Sequence, residues 1–134
     1  MGFLKNQKIR WEQAKVSMVV EELIEAYEEE TGFSFAEGFS NIDVCRLLTE
    51  TAWRESPDFF EGSRFNVKPN TTLAALTVIF KNVSLVKDSE KSYALLDLGI
   101  SIAPSIIEAI PDKERNETDK IAIYEAQLWI TQSE

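Results

Sequence analysis

Histidine is absent from the 134 residues of the chain, and Cys45 is the only cysteine. Without histidine, the chain has no Ser-His or Cys-His nucleophile pair, no imidazole metal ligand and no histidine pH switch. A single cysteine cannot form an internal disulfide or a cysteine cluster for zinc. Any chemistry that the chain performs must therefore depend on carboxylates, lysine, tyrosine or backbone amides.

Glycine-rich loops and long apolar runs are also missing. The five glycines form no phosphate-binding loop, nucleophile elbow or dinucleotide fingerprint. The most apolar stretch, residues 93–107, is too short to span a bilayer and contains Asp97 and Pro104. The N-terminal sequence shows no apolar core of a signal peptide. We therefore expect a cytoplasmic protein that does not bind membranes.

Positive charge is scarce, because 23 acidic residues face 14 basic ones and the net charge is −9. This balance disfavours binding to nucleic-acid phosphates and favours, if anything, a basic partner. The charge is also segregated, with net values of +3 over residues 1–20, −10 over 21–61, +3 over 62–91 and −5 over 92–134. A surface divided in this way could steer a basic partner or pair head to tail with a second copy.

Hydrophobic periodicity predicts a single all-α domain over residues 1–134. We expect a bundle of about five helices, and their predicted ranges are 3–31, 41–55, 71–87, 90–110 and 118–132. The helices at 71–87 and 90–110 are apolar on nearly all sides, so we expect them at the centre of the bundle. Pro104 predicts a kink or a break in the second of these two helices.

The first predicted helix has two contrasting sides. Helical spacing of apolar residues from Ile9 to Tyr27 predicts a buried stripe. The opposite side is apolar through Trp11, Ala14 and Met18 and then becomes acidic. Glu30 alone among the glutamates is expected to lie toward the buried side. Carboxylates near a helix C-terminus oppose the helix dipole, so they are better tolerated when a basic group compensates them.

This side of the helix predicts a binding surface for a protein partner or for a second copy of the chain. The residues that we predict to bind are Trp11, Met18, Glu21, Glu25, Glu28 and Glu29. Two structural alternatives remain open at this level. The acids could form an ordinary solvated face, and another helix of the same chain could cover the stripe of Trp11 and Met18.

Two loops, residues 31–40 and 56–70, contain six of the eight phenylalanines. They could fold back as lids over the ends of the bundle, or they could form a small-molecule pocket. The candidate pocket residues are Phe33, Phe35, Phe59, Phe60 and Arg64. Alternation of aromatic and polar residues also allows minor β pairing between residues 33–35 and 64–67.

An enzymatic alternative comes from EELIE at residues 21–25. Glu21, Glu22 and Glu25 match the E-E-x-x-E half of a motif, and this stretch resembles the all-α MazG-like nucleotide pyrophosphohydrolases. The resemblance covers about five residues and implies carboxylates that hold Mg²⁺ on nucleotide phosphates. Glu55 and Asp58 supply the later E-x-x-D that the family also uses, although the intervening Pro57 disfavours a shared helix face. Apart from this resemblance, no metal or cofactor is expected.

A third hypothesis is an acidic protein that imitates nucleic acid and occupies the groove of a DNA-binding protein. The two segments of net charge +3 interrupt the continuous acidic surface that this role requires. The leading interpretation is therefore a non-catalytic cytoplasmic binding or regulatory protein. It would engage a protein partner or form a homodimer, without binding nucleic acid directly. The sequence does not identify the partner or fix the oligomeric state.

Overall fold

A computed structural model of the chain describes residues 2–35, 41–63, 65 and 67–133, without the side chain of Phe3. Within this part the chain is all-α, as predicted. The α-helices are α1 (Gly2–Thr31), α2 (Asn41–Glu55), α3 (Pro57–Glu61), α4 (Lys68–Leu85), α5 (Ser89–Glu108) and α6 (Glu117–Ser133), and a 3-10 turn spans Asp112–Glu114. No strand occurs among these described residues, so the β pairing of 33–35 with 64–67 stays a prediction.

Local sequence explains where the helices begin and end. Gly32 closes α1 with a φ of 78°, and its N–H donates to the Glu28 carbonyl at 2.8 Å, a left-handed cap that favours glycine. Helix α4 begins at Lys68, earlier than predicted, because Pro69 lies in the first turn, where its missing N–H costs nothing. Pro57 follows the end of α2 and is the first residue of α3. Helix α3 was not among the predicted helices.

Helix α5 is capped at its start and continuous through its proline. The Asp88 side chain accepts hydrogen bonds from the N–H groups of Glu90 and Lys91 at 3.0 and 3.1 Å. Pro104 lies inside the helix, and its side chain is exposed. The helix nevertheless runs unbroken from Ser89 to Glu108, so the predicted break does not occur.

Helix α4 forms the centre of the described structure and packs against α1, α2, α5 and α6. Every residue from Leu73 to Phe80 is buried, which explains why this segment is apolar on all sides. The buried Asn82 amide donates to the carbonyls of Leu48 and Val78 at 2.9 and 2.8 Å, so a polar group at the centre is satisfied. Gly99 of α5 lets the Phe80 ring approach, since a Cβ there would lie 2.6 Å from a ring atom.

Aromatic residues close the core beside α2. The Trp53 ring stacks on Phe60 and Phe65, with centroid distances of 4.6 and 5.6 Å. The Trp53 indole N–H is buried there, and no hydrogen-bond acceptor among the described residues reaches it. Phe35 is buried in the same core. For these phenylalanines, the lid interpretation of the loops is the one that the structure supports.

Candidate functional site

Helix α1 carries a stripe of exposed large apolar side chains. Leu4, Trp11 and Met18 are 69%, 61% and 60% exposed. They recur every seven residues and therefore lie on one side of the helix. On the other side Val16, Val20 and Ile24 are fully buried, so the stripe sits on a helix anchored in the core.

We use the name α1 outer face for the residues on this solvent-facing side. They are Leu4, Gln7, Trp11, Ala14, Met18, Glu22, Glu25 and Glu29, all exposed. No described part of the chain covers Trp11 or Met18. The described residues therefore do not support the alternative in which another helix of the chain covers the stripe.

Lys15 contacts the Trp11 ring on this face. Its Nζ atom lies 4.0 Å from the centre of the Trp11 ring and donates to the Phe65 carbonyl at 2.8 Å. A cation over an indole face contributes about 0.5–1 kcal/mol at an exposed site. Burial raises the pKa of the neighbouring Glu12 carboxyl, and Lys8 and Lys15 partly offset this effect. Trp11 therefore has a favourable contact with Lys15 while most of its side chain stays exposed.

The acidic half of α1 is exposed along most of its length. Glu22, Glu25, Glu29 and Glu30 are exposed, and Glu21 is half-buried. The exposure of Glu30 differs from the expectation that it lies toward the buried side. Among the described residues none of these carboxylates forms an ion pair, so the basic segment 62–91 does not neutralise them there.

Glu28 differs from the other glutamates because its carboxylate is used inside the fold. One oxygen accepts a hydrogen bond from the Phe35 N–H at 2.7 Å, and the other accepts from the Asn41 side-chain amide at 2.7 Å. Glu28 is half-buried and ties the end of α1 to the following loop and to the first residue of α2. We predicted this residue as a partner contact, but the structure gives it internal partners.

Cys45 of α2 lies close to the glutamates on this side of α1. The thiol is fully buried, and desolvation raises its pKa to about 12, with added repulsion from Glu21, Glu25 and Glu28. A thiol in this environment stays protonated and unreactive. Cys45 is therefore a core residue and not a nucleophile.

The carboxylates of the magnesium alternative are not brought together. That alternative needs Glu21, Glu22, Glu25, Glu55 and Asp58 to converge, and all five are described. Within the described ranges no group of three histidine, cysteine, aspartate or glutamate side chains could hold a metal ion. The arrangement therefore gives no support to the motif resemblance.

The four phenylalanines of the predicted pocket form two edge-on pairs. Phe33 packs edge-on against Phe35 at 4.9 Å, whereas Phe59 packs edge-on against Phe60 at 5.1 Å. Phe33 lines a shallow cleft of about 440 Å³ with Tyr27 and Tyr93. Arg64 lies outside the described residues, so its predicted role at the pocket has no structural description.

A larger cleft of about 460 Å³ lies between α4 and α6 and was not foreseen from the sequence. Phe80 and Trp129 stack at 5.8 Å in its wall, and Lys81 pairs with Glu125 at 3.4 Å. The cleft is open, and its lining also includes the exposed Glu55 at the end of α2. Lys81, the cationic side chain of the described lining, is already paired with Glu125, so the cleft offers no unpaired cation with which to orient an anionic ligand.

A groove runs beside the α1 outer face, between α1 and α2. Its volume is about 270 Å³. The lining residues are Arg10, Gln13, Ala14, Ser17, Arg46 and Glu50. Because Ala14 belongs to both surfaces, the groove widens the area that a partner could contact.

Among the residues that the structure describes, none of the helices combines the length and the apolar composition that a membrane span requires.

Comparison with models of protein families, with curated proteins and with solved structures finds no match to this chain.

Proposed function

We propose that the protein is a non-catalytic binding or regulatory protein of the cytoplasm, and that its α1 outer face binds another protein chain. The observation that carries this proposal is the exposure of Trp11 and Met18, at 61% and 60%, on a helix whose opposite side is fixed in the core. Tryptophan is among the residues that contribute most to protein interfaces, and a preformed platform loses little entropy on binding.

The charges along the face support the same proposal. Glu22, Glu25 and Glu29 follow the apolar stripe on the same side of α1, and the helix dipole disfavours Glu29, which lies in the last turn. They have no ion pair within the described residues. A partner with basic groups at this level would remove that unfavourable interaction. Glu28 does not belong to this set, since its carboxylate is already occupied.

Site-specific photo-cross-linking in cells tests the proposal. We would replace Trp11 or Met18 with benzoylphenylalanine and compare each variant with the same replacement of Tyr124, which is 63% exposed on α6. We expect protein adducts from positions 11 and 18 and few from position 124. Absence of adducts from both α1 positions, or equal capture from position 124, would contradict the proposal.

A further inference from the structure

We propose that the partner of the α1 outer face is a second copy of this chain, with the two α1 helices packed antiparallel about an axis near Ala14. This inference rests on the proposed function, because it assigns an occupant to the same face. The observations that select the occupant are the distribution of charge along α1 and the position of its apolar stripe.

The two halves of α1 carry opposite charge. Residues 2–20 contain four basic residues and one acidic residue, whereas residues 21–31 contain six glutamates and no basic residue. Antiparallel packing places the basic half of each copy beside the acidic half of the other. Parallel packing would place like charges together, which disfavours association. The charges of the α1 outer face are therefore complementary to those of a second copy in the antiparallel orientation.

The apolar stripe is complementary to itself in the same arrangement. If the axis passes between Ala14 and Lys15, Trp11 lies level with Met18 of the second copy and Lys8 lies level with its Glu21. The small Ala14 side chains at the centre allow the helix backbones to approach closely. An isologous contact of this kind closes on itself and produces a dimer rather than a filament.

The available area predicts a weak and reversible dimer. With the axis between Ala14 and Lys15, residues 2–27 of the two α1 helices overlap, a length of about 39 Å at 1.5 Å per residue. A strip of this length and about 10 Å wide buries roughly 800 Å² over both copies, below the usual 1,200–2,000 Å² of stable interfaces. The groove lined by Arg10, Arg46 and Glu50 adds to this area. We expect dissociation constants of about micromolar or weaker.

Light scattering over a range of protein concentrations measures the association directly. We expect a mass of 15.2 kDa for the dilute chain that rises toward twice that value at several hundred micromolar. Salt should weaken the antiparallel dimer because it screens the opposite charges. A mass that stays at the monomer value at every concentration would overturn the inference.

Reciprocal charge reversal tests the complementarity. One variant carries Lys8→Glu and Arg10→Glu, and the other carries Glu22→Lys and Glu25→Lys; all four side chains are exposed. Each variant alone should be monomeric, because residues 2–10 and the residues 19–27 that face them in the second copy then carry the same sign. Their net charges are −1 and −3 in the first variant and +3 and +1 in the second. An equimolar mixture should dimerise again.

A matched control removes the same positive charge elsewhere. Lys87→Glu with Lys113→Glu changes two exposed residues outside α1 and should leave the wild-type mass profile unchanged. Circular dichroism verifies that every variant is folded. Dimers in either α1 variant alone, or no association in the mixture, would contradict the charge argument.

Spin-label distances determine the orientation. Labels on Ala14→Cys should lie close together across the axis, whereas labels on Glu29→Cys should be about 45 Å apart at 1.5 Å per residue. The buried Cys45 can stay in place because its protonated thiol does not react. Short distances at both positions would indicate a parallel dimer and overturn the inference.

The outcomes separate this inference from the proposed function. If the chain remains monomeric while positions 11 and 18 cross-link a different protein in cells, the self-association is wrong and the binding face stands. If the chain remains monomeric and neither position captures any protein, both proposals fail.

Discussion

Replacing Glu28 with glutamine should destabilise the protein, although it removes an acid from the unfavourable end of a helix. The Glu28 carboxylate accepts two hydrogen bonds of 2.7 Å, one from the Phe35 N–H and one from the Asn41 amide. Glutamine offers one acceptor oxygen and one NH₂ group, so one of the two donors then faces another donor. The substitution therefore breaks one hydrogen bond and weakens the other.

The magnitude follows from two opposing effects. A hydrogen bond to a charged group contributes about 1.5–3 kcal/mol. Removing the acid from the last turn of α1 returns about 0.3–1 kcal/mol. The net cost of Glu28→Gln is therefore about 1–2 kcal/mol. With an unfolding entropy of about 2.1 cal/mol/K per residue and 134 residues, this cost lowers Tm by about 4–7 °C.

Glu29→Gln is the matched control, because Glu29 is exposed and has no internal partner among the described residues. It should leave Tm unchanged or raise it by about 1–4 °C through the same dipole effect. Thermal and urea unfolding should be followed at several protein concentrations, since dimerisation adds to apparent stability. A Tm for Glu28→Gln at or above the wild-type value would show that these hydrogen bonds do not hold the loop and α2.

A double-mutant cycle with Asn41→Ala tests the same reasoning more narrowly. If Glu28 acts through Asn41, the two substitutions should couple by about 0.5–3 kcal/mol, the range for residues in contact. The corresponding cycle between Glu29 and Asn41 should give no coupling. Additive effects in the Glu28 cycle would contradict the assigned contact.

Two further predictions concern α5. Burial, together with a hydrogen bond of 2.9 Å from the Tyr27 hydroxyl to Asp97, raises the pKa of Tyr27 from 10.0 to about 12. The protonated Tyr27 hydroxyl therefore stabilises the folded state fully below pH 10, and this stabilisation is lost as the pH rises toward 12. Urea midpoints of Tyr27→Phe should fall less steeply than those of wild type over that range, and an equal slope would contradict the assignment. Gly99→Ala should lower stability by about 1–3 kcal/mol, because the new Cβ would lie 2.6 Å from the Phe80 ring. Ser105→Ala, at an exposed site of the same helix, should not lower Tm, and equal Tm values for the two alanine variants would contradict this account.

The helices were predictable from the sequence, because apolar periodicity is a local signal that survives without knowledge of contacts. The segments read as 3–31 and 41–55 closely match α1 and α2. The helix starts at prolines were predicted less well. Pro57 and Pro69 lie in the first turns of α3 and α4, where a missing N–H costs nothing. Such a placement depends on the chain that precedes the proline, which periodicity does not report.

The candidate site was predictable only in part, for a related reason. The exposure of Trp11 and Met18 follows from their angle on the helix relative to the buried stripe. The different use of Glu28 does not, because its partners come from a loop residue seven positions later and from the start of α2. A helical wheel places Glu28 beside Glu21 and Glu25 and cannot show which carboxylate meets donors from another element.

This division among the glutamates makes stability and binding separable. Glu28 fixes α2 beside α1, and its side chain is not part of the α1 outer face. Glu22 and Glu25 lie on that face and have no internal partner within the described chain. Glu28→Gln should therefore lower Tm without changing the concentration at which the mass rises, because the surface around Trp11 stays on the same buried helix. The reversal of Glu22 and Glu25 should do the opposite, abolishing association while leaving the unfolding of the monomer nearly unchanged.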